Sequence, residues 1–474
     1  MKFFRRLLPQ SNFFQKVGIL AGGAAGAQFL TLLASPLLTR LYQPSDLGLL
    51  SVFSAVLSIF VVIGCLRYEL AINLPESTTE ARALVLLSIC ISICVSILLS
   101  VSILFFGVQV AEAISLKELQ PYLWLLPIGV LLSSFFNVFN GFALRNKRYG
   151  DVAKARFFQT AGGTAIQLLG FASGAVTLLI AQVVGQAIGC RQLALQFFAA
   201  GGEARLTLRD LMSVGNRYRR FPIYSTGEGL FNTVGAQLPP LLLASLFSAS
   251  SAGMYMLANR VLSMPLTLVA NAVGQVFVSN APAARREGQL SQLVENLFCK
   301  LIHLALPPAV LIMLCSVDVF VMVFGDAWRQ AGIFCQFMVP WMAVVFVCSP
   351  ISTVFTVLEK QAHAMIFQLI LVASRVAAIS YGAYEQDVLL TVGLFCASSF
   401  LCWTLLLGSV LSHAGVRYLH CAKETASSSF YALLCSVPLV IVDFFGSLNS
   451  VWWVLGFLAS GIFIALRYLK MLGR

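Results

Sequence analysis

The sequence predicts an all-α polytopic membrane protein with about fourteen transmembrane helices. Three observations predict it. Of 474 residues, 59% are hydrophobic and only 11% charged, with a mean hydropathy of +0.88. A soluble domain is usually about 25% charged, and a water-exposed globule could not hide this much apolar surface. Long apolar runs recur along the whole chain, and the basic residues between them alternate in density. Disorder is excluded by the same composition.

A spanning helix needs about 20 mostly apolar residues. Lys2, Arg5, Arg6 and Lys16 precede the first run, 17–38. That run is long enough to span and others follow, so it reads as an uncleaved first helix rather than a signal peptide. The next three are 47–72, 83–108 and 119–143. The fifth and sixth, 157–173 and 175–197, are divided by the turn signal Ser173–Gly174. Then come 221–246, 253–280, 301–323, 331–357, 364–383 and 388–411, and finally 428–446 and 451–467. Pro36, Pro127, Pro239, Pro240, Pro265, Pro307, Pro308, Pro340 and Pro350 mark expected bends, tolerated where neighbouring helices satisfy the freed backbone. Gly18, Gly22 and Gly26, and Gly185 and Gly189, recur at helical spacing and permit close packing. The twelve cysteines lie mostly in apolar runs without a CxxC pair and read as small buried hydrophobes. No disulfide framework is expected.

The net charge of +12 tests this topology. With the N-terminus in the cytoplasm, 24 of the 31 Lys and Arg fall in cytoplasmic segments. The opposite side holds only Arg40, Lys117 and Arg329, and Arg67, Arg191, Arg260 and Arg375 lie within spans. This is the positive-inside bias, and it favours an even number of spans with both termini cytoplasmic. No loop is long enough to house a soluble catalytic domain.

The chain also repeats. Shifted by 205 residues, 33–58 meets 238–263 with nine of twenty-six positions identical. Gly48 falls on Gly253, each opening an even-numbered span after a Ser-containing turn. The shift carries the first span onto the seventh, so the halves share one orientation: a parallel repeat with a pseudo-axis along the membrane normal. The expected division is an N-lobe at 1–197, a cytoplasmic linker at 198–220, a C-lobe at 221–411, and a cytoplasmic loop with two further helices at 412–474.

No metal-ligand spacing, P-loop or GxGxxG stretch occurs, and His303, His363, His413 and His420 are scattered, so neither enzyme chemistry nor a cofactor is expected. Attention falls on charges within spans, which face a cavity or a partner because each costs about 2.5–3.5 kcal/mol at the bilayer centre. Arg375 lies about 16 Å into its span, too deep to snorkel easily, facing a central cavity or an ion-pair partner. Arg260 lies about 10 Å in, beside Asn259. Arg67 and Glu69 lie near the cytoplasmic end of the second span and, two apart on one helix, are expected not to meet. Arg191 is placed to snorkel. Glu228, Asp318 and Glu69 are the carboxylates for H⁺ or Na⁺ coupling, or else salt-bridge partners. Gln28, Asn137, Asn140, Asn232 and Gln237 are positioned to line a hydrophilic path or to bond between helices.

The runs LLTRLYQPSDLGLLSVF (37–53) and LRYELAINLPE (66–76) resemble the start of Wzx-type polysaccharide-biosynthesis flippases, of the multidrug/oligosaccharidyl-lipid/polysaccharide superfamily. The resemblance returns in FPIYSTGEGLFNTVGAQLPPLLLASLFSASSAGMYMLANRVLSMPLTLVANAVGQVF (221–277), FGDAWRQAG (324–332) and SPISTVF (349–355). It implies two six-helix lobes around a central cavity, with two additional C-terminal helices. It also implies flipping of undecaprenyl-pyrophosphate-linked oligosaccharide across the bacterial inner membrane, for O-antigen, capsule or exopolysaccharide synthesis. The implied partners are the lipid-linked oligosaccharide and membrane lipid, with a polysaccharide polymerase and chain-length machinery beside them, and no nucleic acid. Arginine presents a planar fork to phosphate oxygens, so Arg375, Arg260 and Arg67 are the expected substrate contacts. The rival readings are a cation-coupled drug or metabolite exporter of the same superfamily, a membrane polymerase or ligase, and a scaffold in an export complex.

Overall fold

Within hydrocarbon every backbone N–H and C=O must find a partner inside the protein, and a helix satisfies nearly all of them internally. The computed structural model describes residues 12–113, 117–199, 207–358, 360–444 and 450–472, and every regular element among them is helical. The long helices are α1 (Asn12–Leu41), α2 (Pro44–Gly64), α3 (Thr78–Ala113), α4 (Leu125–Arg145), α5 (Tyr149–Leu169), α6 (Ala175–Ala199) and α7 (Thr226–Leu246). They continue as α8 (Ala249–Arg286), α9 (Leu290–Phe324), α10 (Arg329–Ser352), α11 (Gln361–Tyr384), α12 (Val388–His413), α13 (Tyr418–Phe444) and α14 (Ser450–Leu472). Each predicted apolar run falls on one of these helices, in order. Among the described residues nine helices are long and apolar enough to cross a membrane: α2, α3, α4, α6 and α9 through α13. The protein is a multi-pass membrane protein. Its outward faces are correspondingly apolar: Leu98, Leu104 and Phe105 of α3 are exposed, where lipid tails rather than water would cover them.

By packing, the chain divides into two compact units, one covering Ser11–Met256 and the other running from Leu257 onward. In the first, α5 packs between α1 and α6, α4 packs on α3 and α6, and α2 packs on α7. Its core includes Tyr68, Ile72, Leu84, Val138, Phe142, Val152 and Leu193. In the second, α10 packs on α9 and α12, α11 on α12, and α13 on α9 and α14. Phe298, Leu301, Val347, Ile351, Phe355 and Val410 belong to a core there.

The repeat read from the sequence recurs in the structure. The 205-residue shift carries Leu41, the last residue of α1, onto Leu246, the last of α7, and Pro44 at the start of α2 onto Ala249 at the start of α8. Three pairings occur in both halves: α3 with α4 as α9 with α10, α4 with α6 as α10 with α12, and α5 with α6 as α11 with α12.

One predicted span is shorter than expected. The apolar run continues to residue 72, but α2 stops at Gly64. Leu66 and Arg67 take φ of +47° and +60°, a left-handed conformation that terminates the helix, and a single turn, Tyr68–Ala71, follows. Two successive non-glycine residues there cost about 1–3 kcal/mol each, so tertiary contacts must hold the break. The Tyr68 hydroxyl donates to the Gly215 carbonyl at 3.0 Å, and Cys65 is fully buried against Ser92. The turn expected at Ser173–Gly174 is present, with Gly174 at φ +61°.

Candidate substrate cavity

The first unit holds a cavity of about 620 Å³. Its walls come from α1 (Ala27, Gln28, Thr31), α2 (Leu57, Ser58, Val61), α4 (Ser133, Phe136, Asn137), α5 (Arg156, Gln159, Thr160) and α6 (Gln182, Gln186), with Thr233 from α7. The helical period explains the convergence. Gln28 and Thr31, Ser133 and Asn137, Arg156, Gln159 and Thr160, and Gln182 and Gln186 are each three or four apart and share a helix face. Small residues bring these faces together: a β-carbon on Gly185 would meet the Gln159 carbonyl at 3.0 Å, and one on Gly189 the Gln159 side chain. The Gln159 amide nitrogen donates to Gln186 Oε1 at 2.8 Å, fixing both amides at the wall.

Among the described residues the wall carries five side-chain amides, several hydroxyls and one formal charge, Arg156, with no carboxylate. Among the described residues no hydrogen bond or ion pair ties Arg156 down, and its side chain is exposed. Such a surface donates and accepts many neutral hydrogen bonds and offers one planar cation, which suits a polyhydroxylated anion.

Gln28 and Asn137, read from the sequence as path-lining candidates, both line this cavity. The apolar run starts at 157, which leaves Arg156 outside the predicted span. In the structure α5 begins at Tyr149, so Arg156 stands about 10 Å into a helix. Its spacing of three and four from Gln159 and Thr160 is the signal that could have marked it.

Arg67 and Glu69 were expected not to meet, and the structure corrects this. The break after Gly64 turns them together, with Arg67 Nη1 3.9 Å from Glu69 Oε1. Glu69 is buried, and neither its Oε2 nor Arg67 Nε has a hydrogen-bond partner among the described residues. The Arg67 guanidinium lies against Gly229 of α7, where a β-carbon would stand 2.8 Å from its Cζ. One helical turn further along α7 is Thr233, at the cavity wall. Glu228, beside Gly229, is exposed.

The remaining candidates belong to the second unit. Arg375 of α11 donates from Nε to Ser399 Oγ at 3.0 Å. Its guanidinium carbon lies 5.4 Å from the Trp341 ring and 5.0 Å from the Phe395 ring. Arg260 of α8 is half-buried, and its carbonyl accepts from Ser263 at 3.5 Å. Asp318 of α9 is exposed. Among the described residues no group of three or more His, Cys, Asp or Glu is placed to hold a metal ion.

A family described as "Polysaccharide biosynthesis protein" matches residues 37–332, more than half of the chain. The chain belongs to this family. No curated protein matches it in sequence. Among solved structures, this polysaccharide biosynthesis protein is similar to the lipid II flippase MurJ in its inward closed conformation. The TM-score is 0.70 at 12% identity, covering 94% of this chain and 98% of that one. It is also similar to a multidrug resistance MATE family transporter of the MOP superfamily, inward-facing (TM-score 0.57, 14% identity, 82% and 94% covered). A MOP superfamily transporter from Pyrococcus furiosus is a third (TM-score 0.55, 13% identity, 84% and 95% covered). These likenesses show the fold alone, one shared with a lipid II flippase and with MOP superfamily transporters.

Proposed function

We propose that the protein is a flippase that moves undecaprenyl-pyrophosphate-linked oligosaccharide across the bacterial inner membrane by alternating access, for O-antigen, capsule or exopolysaccharide synthesis. The cavity wall supports this reading: amides and hydroxyls that match sugar hydroxyls, beside a single arginine that matches a phosphate oxygen pair. In this reading Arg156 holds the pyrophosphate, the amides hold the sugars, and the lipid tail stays in the bilayer. Arg67, Arg260 and Arg375 are further contacts along the route. Coupling to H⁺ or Na⁺ would run through Glu69, Glu228 or Asp318, and the protein would work beside a polymerase and chain-length machinery.

A cation-coupled exporter of small drugs would favour acidic or aromatic walls. Among the described residues no carboxylate lines the cavity and Phe136 is the single aromatic ring on it. The test is the leaflet distribution of lipid-linked units after deletion of the gene, together with flipping by the purified protein in liposomes. Cytoplasmic-leaflet accumulation and reconstituted flipping are expected. Normal delivery to the outer leaflet without a redundant carrier would sink the reading.

A further inference from the structure

The second unit contains a polar chain that the proposed transport route does not use. His303 of α9 stands between Glu424 of α13 and Arg467 of α14. His303 Nε2 is 2.8 Å from Glu424 Oε2, and Arg467 Nη2 is 2.7 Å from His303 Nδ1. An arginine guanidinium has donors and no acceptor. Nδ1 must therefore be the bare, accepting nitrogen, and the imidazole proton must lie on Nε2, donated to Glu424. The contacts specify a neutral imidazole in one tautomer between a carboxylate and a guanidinium.

We propose that His303 is a proton-binding site whose occupancy loosens the hold of α14 on α9. A proton arriving at the bare Nδ1 uses the lone pair that Arg467 needs. Nδ1–H and the guanidinium N–H then point donors at each other, with two like charges at hydrogen-bond distance. The imidazolium keeps Glu424, now as a charge-assisted pair, and gives up Arg467. Arg467 has a fallback, since its guanidinium carbon lies 4.4 Å from the Tyr431 ring, so it can turn onto α13. Among the described residues its Nη1 is buried without a hydrogen-bond partner, which marks the closed clasp as incompletely satisfied. What stays on α9 is the Tyr468 hydroxyl on the Leu304 carbonyl at 2.7 Å and the apolar contact of Ile464 with Leu311 and Cys315.

Other ionisable groups surround the clasp. On α9, Glu295 pairs with His420 of α13 at 3.5 Å rather than with His303, and Lys300 and Cys299 flank the site. On α13, besides Glu424, the ionisable neighbours are Lys423, Tyr431 and the thiols of Cys421 and Cys435. On α14, among the residues whose side chains are described, they are Arg467 and Tyr468. The adjacent α10 carries only Arg329, which pairs with Asp326, and the buried thiols Cys335 and Cys348. α8 meets this core through Phe277 and Ala281, which do not titrate.

The experiment uses the full-length protein in lipid nanodiscs between about pH 8 and about pH 5, across the range where imidazoles ordinarily change charge. Hydrogen exchange of α14 amides is followed by mass spectrometry and corrected for the intrinsic pH dependence of exchange. His303→Gln is the control, because its amide can donate to Glu424 and accept from Arg467 without titrating. Corrected exchange in 450–472 should rise several-fold as the pH falls in the natural protein and stay level in His303→Gln. Imidazole ¹⁵N shifts of the natural protein provide a second reading that needs no variant, with Nδ1 bare at the high-pH end and protonated at the low end. Level exchange in the natural protein, the same rise in His303→Gln, or a protonated Nδ1 at high pH would each overturn the proposal.

Discussion

Gly48 and Gly253 meet backbone to backbone: a β-carbon placed on Gly253 would lie 2.8 Å from the Gly48 nitrogen. The same β-carbon would strike the Pro44 carbonyl, and one on Gly48 would strike the carbonyl of Ala249. The 205-residue shift superposes Gly48 on Gly253 and Pro44 on Ala249. Each contact is therefore the mate of the other, as at a two-fold interface where residue i touches j and j touches i. The starts of α2 and α8 cross at their own equivalent residues, so the glycines are needed for approach rather than for backbone conformation.

From this crossing comes the first prediction. Gly48→Ala or Gly253→Ala forces two helix backbones apart and should cost about 1–3 kcal/mol, the usual range for overpacking. A fall in the apparent Tm of the detergent-solubilised protein is expected. Gly26→Ala is the control: nothing lies within 4 Å of a β-carbon there, so its Tm should hold or rise slightly, since Ala favours a helix interior over Gly.

Arg156 leads to the second. Its side chain is exposed at the cavity wall and tied to no described partner, so Arg156→Gln should leave abundance and Tm unchanged. If it holds a pyrophosphate, losing a charge-assisted hydrogen bond of about 1.5–3 kcal/mol should weaken substrate binding about 10- to 100-fold. Arg156→Lys should recover part of this, keeping the charge and losing the planar fork. Export of polysaccharide in a complementation assay, at matched abundance, checks both.

A third prediction concerns Arg145, at the C-terminal end of α4. Its guanidinium donates to the carbonyls of Ile72, Pro75, Glu76 and Ser77, gathering the loop after the α2 break. One ammonium cannot span four such acceptors, so Arg145→Lys should free this loop at a cost of about 1–3 kcal/mol. Faster hydrogen exchange across 72–77, with unchanged exchange in α12, is the expected pattern.

The helices were legible because bilayer thickness sets their length and apolar content, and every predicted run falls on one. The repeat was legible because close approach tolerates only glycine at 48 and 253. The α2 break was not. Gly64 ends the helix, but the left-handed residues are Leu66 and Arg67, whose turn is held by contacts such as Tyr68 with Gly215, 147 residues away. Arg156 escaped because hydropathy locates the apolar part of a helix, whereas α5 extends two polar turns before it. The His303 chain joins residues 121 and 164 positions apart, beyond any local pattern.

Arg375 separates a packing role from a transport role. Its depth in the span pointed to a cavity or a partner, and the structure supplies partners in Ser399, Trp341 and Phe395. A hydrogen bond from a charged group and two ring contacts should together hold α11 against α10 and α12 by about 2–4 kcal/mol. Arg375→Ala should therefore lower the apparent Tm by several degrees. Arg375→Met, which keeps the length and apolar stem, should restore part of that loss. The decisive comparison is export at matched abundance. If Arg375 serves packing alone, Arg375→Met exports normally once its amount in the membrane is equalised. If it also meets the pyrophosphate, Arg375→Met stays deficient while Arg375→Lys, which keeps the charge, exports better than Met despite weaker ring stacking. The rank order of Met and Lys, read beside their Tm values, assigns the role.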